Sequence, residues 1–332
     1  MTIIWLIVLA ASLYVLIKAA DYLTDASEKI GTILRLPAFV VGLLIVTFGT
    51  TSPELLTSIF AVIEKEAAIV SSNIIGTIVA NIFLGLGLAV IISKKTARFH
   101  WDSVSNDMPF LLGAVLLLAL TIYDGLFTFW EAIIFLAAYA IYVFYALHIR
   151  RINPKEIRQD LNREIKSKFR QDFKAMDVEK ITAKKVVKLM AIFFAALVMM
   201  VLAAKYTVDS LISLAYIIGI GTSTLAATII AVGTSLPEIS VAITSAKKGH
   251  FDIVIGNILG ACIFDTFIIF GMIGLFSNIA IPAVVINLIL PVAIGAILIQ
   301  WLVTMDKKIT VTEGMLMVLL YITFVAKLFN IF

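Results

Sequence analysis

The sequence is poor in charge, in cysteine and in histidine. Only 14% of its 332 residues are charged, whereas 61% are hydrophobic. The single cysteine, Cys262, excludes an internal disulfide framework. The three histidines lie at the ends of apolar runs, and no H-E-x-x-H motif is present. An enzyme built on a metal triad or a nucleophile–base pair is therefore not expected. No permanently bound cofactor is expected, and no nucleic-acid motif appears.

Apolar runs of 18 or more residues recur along the whole chain, and each is long enough to cross the ~30 Å hydrocarbon layer as a helix. The first run has no basic leader and no small-residue cleavage site, so we expect it to be a retained span. The pattern predicts an all-α, multi-pass membrane protein. Its ten predicted spans are 2–20, 37–62, 67–93, 108–123, 127–147, 186–212, 221–246, 251–276, 282–303 and 311–330.

One polar segment, residues 150–185, separates spans five and six. It holds 12 of the 26 Lys and Arg residues, and the positive-inside rule places it in the cytoplasm. The connections predicted on the same side carry further basic residues: Lys29, Arg35, Lys94, Lys95, Arg98, Lys247, Lys248, Lys307 and Lys308. The opposite side carries Lys65 and Lys205 and little else. We therefore expect a protein of the cell membrane with both termini outside.

Apolar residues recur every four positions within the 150–185 segment, at Ile157, Leu161, Ile165, Phe169 and Phe173. This spacing predicts an amphipathic helix. The helix is either a solvated linker between two halves or a basic helix that contacts anionic lipid.

The two halves of the chain, 1–149 and 186–332, repeat each other with an offset of 184 residues. The repeat aligns GTTSPE at 49–54 with GTSLPE at 233–238, and SNIIGTIVAN at 72–81 with GNILGACIFD at 256–265. Because each half has five predicted spans, the second half would enter the membrane upside down. This is the inverted-topology repeat of secondary transporters, whose substrate site lies near the bilayer midplane between the halves.

Polar residues of spans two and seven share one helical face around a glutamate. They are Thr47, Thr50, Thr51 and Glu54 in the first half, and Thr234, Ser235 and Glu238 in the second, where Ala231 takes the position that corresponds to Thr47. Pro53 and Pro237 lack the N–H that would bond the carbonyl four residues earlier, so both helices are predicted to break there. Freed carbonyls, hydroxyls and a carboxylate form an oxygen-only ligand set, which hard cations such as Na⁺ and Ca²⁺ prefer.

Spans three and eight add further polar residues at helical spacing. Thr77 and Asn81 correspond to Ala261 and Asp265, and Gly76 and Gly260 beside them allow close helix approach. A carboxylate at the middle of a span costs at least ~2.5–3.5 kcal/mol, so Glu54, Glu238 and Asp265 are functional candidates. The predicted centre is Glu54, Asn81, Glu238 and Asp265.

The paired stretches GTTSPELLTS with NIIGTIVAN, and GTSLPEISVA with NILGACIFD, resemble the two alpha-repeats of the sodium/calcium exchangers of the cation/calcium exchanger superfamily. The resemblance implies a Na⁺/Ca²⁺ antiporter that works by alternating access, with spans one and six as the moving part. It implies Ca²⁺ ligation by Glu54 and Glu238 with the backbone oxygens of Thr50 and Thr234, and central roles for Asn81 and Asp265. The implied flanking Na⁺ ligands are Thr47, Thr77 and Ser235 on one side and Thr51 and Ala231 on the other.

Ala261 departs from the family pattern, which has a serine or threonine there. One Na⁺ site loses a hydroxyl, so the implied stoichiometry of three Na⁺ for one Ca²⁺ stays open. An H⁺/Ca²⁺ exchanger is the main alternative, and a cation channel with the same oxygen ligands is a weaker one.

Overall fold

The computed structural model describes residues 2–33, 47–94, 96–98, 101–152, 183–249 and 251–331. The first half contains α1 (Thr2–Ile33), α2 (Thr47–Ile63), α3 (Ala67–Val79), α4 (Gly87–Ser93), α5 (Trp101–Thr121) and α6 (Phe129–Ile152). The second half contains α7 (Ala183–Ile218), α8 (Thr222–Leu225), α9 (Ala231–Thr234), α10 (Leu236–Lys248), α11 (Phe251–Phe264), α12 (Phe270–Phe276), α13 (Leu290–Thr304) and α14 (Val311–Leu328). The helix predicted in the central loop at 157–173 lies outside the described residues.

Several of these helices continue through π-helical segments. Segment π1 (Ala80–Leu86) joins α3 to α4, π2 (Ala226–Ile230) joins α8 to α9, π3 (Asp265–Ile269) joins α11 to α12, and π4 (Val285–Ile289) precedes α13. Asn81 lies in π1, and its repeat equivalent Asp265 begins π3. A π-helical turn is rare and often marks a functional site, and one occurs at both of these positions.

The described part of the chain has six helices that are long and apolar enough to cross a membrane, or seven if the bent pair Thr222–Thr234 and Leu236–Lys247 forms one span. Three shorter apolar helices, Thr51–Ile63, Asp107–Thr121 and Phe129–Tyr145, accompany them. The predicted class, a helical membrane protein, is therefore confirmed. The count of ten spans stays a prediction.

Helices α1 and α7 pack along each other and form an apolar cluster apart from the main core. Its buried members are Leu16, Ala19, Leu23, Ala196, Met200, Ala203 and Ala204. Inside this pair, the buried Thr207 hydroxyl lies 3.0 Å from the Ser12 hydroxyl and donates a hydrogen bond to it. A polar bond between helices in an apolar medium resists separation, so α1 and α7 form one packed unit.

Two short antiparallel strand pairs connect the halves. Strand β1 (Ala97–Arg98) pairs with β4 (Lys308–Ile309), and β2 (Leu126–Phe127) pairs with β3 (Ile279–Ala280). Each of β2 and β4 leads into a helix through a threonine whose hydroxyl contacts the glutamate three residues later, at 2.9 Å for Thr128 and Glu131 and 2.8 Å for Thr310 and Glu313. These contacts cap the first turns of α6 and α14.

The two repeated prolines have different effects. In the second half, α9 and α10 meet at Ser235 with a bend of 48°, and Pro237 lies in the first turn of α10. In the first half, α2 runs without a break from Thr47 through Pro53 to Ile63. The predicted break of span two is therefore wrong within the described residues. A proline removes a single backbone hydrogen bond, and packing decides whether the helix bends; here α1 and α7 both pack along α2.

At Gly76 the first half of the chain lies directly against the backbone of the second half. A Cβ at Gly76 would lie 2.6 Å from the Cα and carbonyl oxygen of Ala227 in π2. The predicted close packing at Gly76 is therefore confirmed. Gly260, its repeat equivalent, has no described neighbour within 4 Å of such a Cβ.

We predict that Gly76→Ala lowers the free energy of unfolding by about 1–3 kcal/mol, because the clash is with backbone that cannot rotate away. Thermal unfolding in detergent measures the effect. Gly113→Ala is the matched control, since a Cβ there meets nothing within 4 Å. Equal melting temperatures for the two variants would contradict the close approach.

Candidate cation site

Glu54 carries a buried carboxylate in the middle of α2, with 1% of the residue exposed. Neither carboxylate oxygen has a well-aligned hydrogen bond from a described group, although the Thr234 side chain and the backbone of Glu54 lie close to it. The neighbouring Thr57 does not donate to it, because its hydroxyl donates to the carbonyls of Pro53 and Glu54 at 2.8 and 3.0 Å. An uncompensated buried carboxylate is strongly unfavourable, so Glu54 is poised to bind a cation.

Glu238 occupies the equivalent position in the second half, in the first turn of α10 just beyond the bend, and is also buried. The positive end of the helix dipole favours a negative side chain there. Asn257 of α11 donates its amide N–H to the Glu238 carbonyl at 3.2 Å and so ties the two helices together beside the carboxylate.

The helices that carry the two glutamates contact the π-helical segments crosswise. Helix α2 packs against π3, which begins with Asp265, and α10 packs against π1, which contains Asn81. Asn81 and Asp265 are buried, and neither the Asn81 amide nor Oδ1 of Asp265 has a described hydrogen-bond partner. The helix of Glu54 therefore meets the segment that begins with Asp265. The helix of Glu238 meets the segment that contains Asn81.

Electrostatic contacts link these residues into one region. The Asp265 carboxylate is close enough to Glu54 for a direct electrostatic interaction. The thiol of the buried Cys262 lies beside Asn81 and within electrostatic range of Asp265 and Glu238. Asp265 is thus linked to Glu54 of the other half, and Cys262 to Asn81 of the other half. Three acidic side chains in one apolar region would repel one another when ionised, so a bound cation would stabilise them.

The surrounding hydroxyls differ in their availability. Thr51 and Thr77 are buried, and the Thr77 hydroxyl has no described partner. Thr234 lies near Glu54, but its hydroxyl donates to the carbonyl of Ile230 at 3.0 Å. Hydroxyls that donate back to their own helix keep their oxygen lone pairs free for a cation. The side chains of Thr47 and Thr50 lie outside the described part of the structure.

Ala231 is the predicted ligand that the structure favours least. Its carbonyl accepts hydrogen bonds from both the N–H and the hydroxyl of Ser235, at 3.2 and 2.6 Å. Both lone pairs are thereby used, so this carbonyl would have to change partners before it could bind Na⁺. Ala261 is buried and contributes only a methyl group.

Three other buried polar side chains lack described partners, and none belongs to the predicted ligand set: Ser58, Asn73 and Gln300. Ser58 and Asn73 continue the polar faces of α2 and α3, so their helical spacing was the available signal. The residue that corresponds to Gln300 in the first half is apolar. The only sequence signal for Gln300 was a polar side chain inside an apolar run.

No three His, Cys, Asp or Glu side chains converge as a metal-binding group in the described part of the chain. The predicted Ca²⁺ ligand set does not require such a group, because it combines two carboxylates with an amide and backbone oxygens. Ligands of this kind are typical of hard cations bound between helices.

The chain is thus a helical membrane protein with buried oxygen-bearing side chains. The model of the sodium/calcium exchanger protein family matches residues 4–148 and 188–330. The chain therefore belongs to that family, which comprises exchangers rather than enzymes.

Two curated relatives cover most of the chain. It is 28% identical to the sodium/calcium exchanger MaX1 of Methanosarcina acetivorans, over 98% of each chain. It is 27% identical to the inner membrane protein YrbG of Escherichia coli, over 81% of this chain and 79% of that one.

Solved structures show the same fold. The sodium-calcium exchanger NCX_Mj, soaked with Na⁺ and Sr²⁺, superimposes with a TM-score of 0.61 at 24% identity and covers 98% of this chain and 99% of that one. The H⁺/Ca²⁺ exchanger CAX superimposes with a TM-score of 0.71 at 15% identity, over 96% of this chain and 81% of that one.

We predict that Glu54→Gln raises the melting temperature in ion-free buffer and removes the stabilisation by Ca²⁺. The first effect follows from the loss of a buried charge. The second follows from linkage, since Ca²⁺ at a hundredfold excess over its Kd should stabilise the unmodified protein by about 2.7 kcal/mol. Thermal unfolding with and without Ca²⁺ measures both.

Glu66→Gln is the matched control. Glu66 accepts a hydrogen bond from Thr222 at 3.2 Å in a half-buried position outside the centre, so this variant should keep the Ca²⁺ effect. A full Ca²⁺ effect in Glu54→Gln would remove Glu54 from the site.

Proposed function

We propose that the protein exchanges Na⁺ for Ca²⁺ across the cell membrane, with Glu54 and Glu238 as the principal Ca²⁺ ligands. The observation that carries the proposal is the crosswise contact of α2 with π3 and of α10 with π1, which gathers the polar residues of both repeats in one apolar region. The family and the curated relatives support Ca²⁺ exchange against another cation.

The ligand set we propose follows the repeat. Ca²⁺ lies between the two glutamates with Asn81, Asp265 and the backbone oxygens of the equivalent threonines, and Na⁺ occupies that region and its flanks. The full proposed set is Glu54, Glu238, Asn81, Asp265, Thr50, Thr234, Thr47, Thr51, Thr77, Ala231 and Ser235. The ions are transported substrates rather than resident cofactors.

The buried charges explain why exchange would be obligatory. An empty centre with ionised carboxylates cannot be enclosed in the membrane without a cost of several kcal/mol per charge. One Ca²⁺ or two Na⁺ balance the two glutamates, so either cargo permits enclosure. If a third Na⁺ binds, one net charge crosses per cycle and the membrane potential contributes ~2.3 kcal/mol per 100 mV. The alanine at 261 weakens one Na⁺ site, so we propose no fixed stoichiometry.

We propose ten membrane helices in two inverted repeats, 1–149 and 186–332, joined by the basic 150–185 segment in the cytoplasm. The family model matches each half separately, which supports the repeat. The strand pairs support the topology: β1 and β4 both lie in connections predicted on the cytoplasmic side, and β2 and β3 in connections predicted outside. Both termini would then lie outside, and the basic segment could contact anionic lipid.

Alternating access would use the α1–α7 unit. Leu13 of α1 packs against Gly233, where a Cβ would lie 2.7 Å from the Leu13 side chain. Leu197, the repeat equivalent of Leu13, is 36% exposed. We propose that the two leucines exchange these environments when the unit shifts and the centre opens to the other side.

Exchange of H⁺ for Ca²⁺ is the second candidate. Asp265 stands where the first half has Asn81, and a carboxylate beside Glu54 provides a group that could carry a proton. Ala261 also favours H⁺ as the exchanged ion, because an alanine at this position removes a hydroxyl ligand for Na⁺.

We predict that proteoliposomes loaded with Na⁺ take up ⁴⁵Ca²⁺ from a Na⁺-free medium several-fold faster than vesicles without a Na⁺ gradient. The buried charges allow the site to cross only when it is loaded, so Na⁺ efflux must accompany Ca²⁺ influx. Glu238→Gln should abolish this uptake. Uptake driven by a pH gradient alone would overturn Na⁺ coupling, and uptake independent of both gradients would indicate a channel.

We predict that a disulfide between cysteines at positions 12 and 207 leaves transport active, because α1 and α7 move as one unit. The variant is Ser12→Cys with Thr207→Cys in a Cys262→Ala background, since the native hydroxyls are 3.0 Å apart. ⁴⁵Ca²⁺ uptake before and after oxidation measures the effect. Loss of uptake on oxidation that a reductant reverses would show that the two helices move independently.

A further inference from the structure

The main-chain carbonyls of the two glutamates accept hydrogen bonds from different side chains. Both carbonyls lie within α-helices, where a carbonyl accepts the N–H four residues later and keeps one lone pair for another donor. At Glu238 this donor is the Asn257 amide, at 3.2 Å. At Glu54 it is the Thr57 hydroxyl, at 3.0 Å. The two halves therefore present the same acceptor to different donors.

Asn73 of α3 is the repeat equivalent of Asn257. It follows Glu54 by 19 residues, which is also the separation between Glu238 and Asn257, and α2 packs against α3 as α10 packs against α11. Asn73 is 1% exposed, and neither its amide nitrogen nor its Oδ1 has a hydrogen-bond partner among the described residues. A buried amide without a partner is unfavourable. By the repeat, the acceptor that corresponds to it is the Glu54 carbonyl.

One pair of equivalent positions, Thr57 and Val241, accounts for the difference. The Thr57 hydroxyl contacts the carbonyl of Pro53 at 2.8 Å as well as that of Glu54 at 3.0 Å. Val241 has no hydroxyl, so the corresponding carbonyl of the second half stays available to Asn257. Because the Thr57 hydroxyl can keep the Pro53 carbonyl while it releases the Glu54 carbonyl, a small rotation suffices to exchange the donor.

We propose that Asn257 and Asn73 are positioning residues that fix the two glutamates through their main-chain carbonyls, and that the Thr57 hydroxyl withholds this contact in the first half. The carboxylate oxygens have to stay available for cations. A bond to the main chain holds a glutamate in place without occupying those oxygens. The proposal rests on the exchange function proposed above.

The bend in the second half gives this contact its importance. Helix α10 begins just after the 48° bend at Ser235, and Glu238 lies in its first turn. A carboxylate beside a bend shifts with its helix unless a neighbouring helix holds it, and Asn257 provides that hold. Glu54 has no such bond to α3. Engagement of Asn73 should therefore pre-organise the second glutamate and tighten Ca²⁺ binding.

Two substitutions that preserve side-chain shape exchange the donors between the halves. Thr57→Val removes the competing hydroxyl and should tighten Ca²⁺ binding about two- to fivefold, the effect of one hydrogen bond. The gain should vanish in an Asn73→Leu background, because the released carbonyl then has no amide to accept. Val241→Thr should weaken Ca²⁺ binding by a similar factor, but not in an Asn257→Leu background. Calorimetric titration of the purified protein with Ca²⁺ measures each Kd.

Thr323→Val is the matched control. Its hydroxyl also donates to a carbonyl of its own helix, at 2.9 Å, but on the exposed face of α14, so this variant should leave the Kd unchanged. A gain from Thr57→Val that is equal with and without Asn73→Leu would show an effect of packing alone and overturn the proposal. Unchanged binding in every variant would overturn it as well.

If the unmodified protein binds no Ca²⁺, the proposed function fails, and melting temperatures in ion-free buffer decide the contacts separately. Asn257→Leu should lower the melting temperature more than Asn73→Leu, because only the Asn257 amide has a described acceptor. An equal or smaller loss in Asn257→Leu would overturn the positioning role.

Discussion

The constraint on which the rest of the structure depends is the burial of acidic side chains in an apolar medium. Glu54, Glu238 and Asp265 lie in the protein interior, and the Glu54 carboxylate has no well-aligned hydrogen bond from a described group. Such a group is stable there only when a cation compensates its charge or a proton neutralises it. The polar faces of α2 and α10, the π segments and the crosswise packing of the halves all serve to bring oxygen atoms to this one region. The same cost gives a physical reason why an exchanger should move only when loaded.

The α1–α7 unit contacts the two glutamate-bearing helices unequally. It packs along α2 and touches α10 only slightly. The bend at Ser235 and the continuous course of α2 through Pro53 fit the same difference, because α1 and α7 pack along α2.

The sequence predicted the features that depend on local chemistry and on the repeat. The burial of Glu54, Asn81, Glu238 and Asp265 followed from their position in apolar runs. The break at Pro53 was predicted wrongly, since a proline does not by itself decide whether a helix bends. The strand pairs were not foreseen, because two-residue strands between distant connections have no periodic signal. The two hydrogen bonds that the Ala231 carbonyl accepts were not predicted either, since the one from the Ser235 hydroxyl depends on the rotamer of Ser235.

The central claim is that one cation is held jointly by the two repeated glutamates. Crystals soaked in Sr²⁺, which scatters anomalously, test it most directly. The account predicts one strong anomalous peak between the carboxylates of Glu54 and Glu238, absent in Glu54→Gln crystals. A peak bound by only one glutamate, or one that persists in the variant, would contradict it.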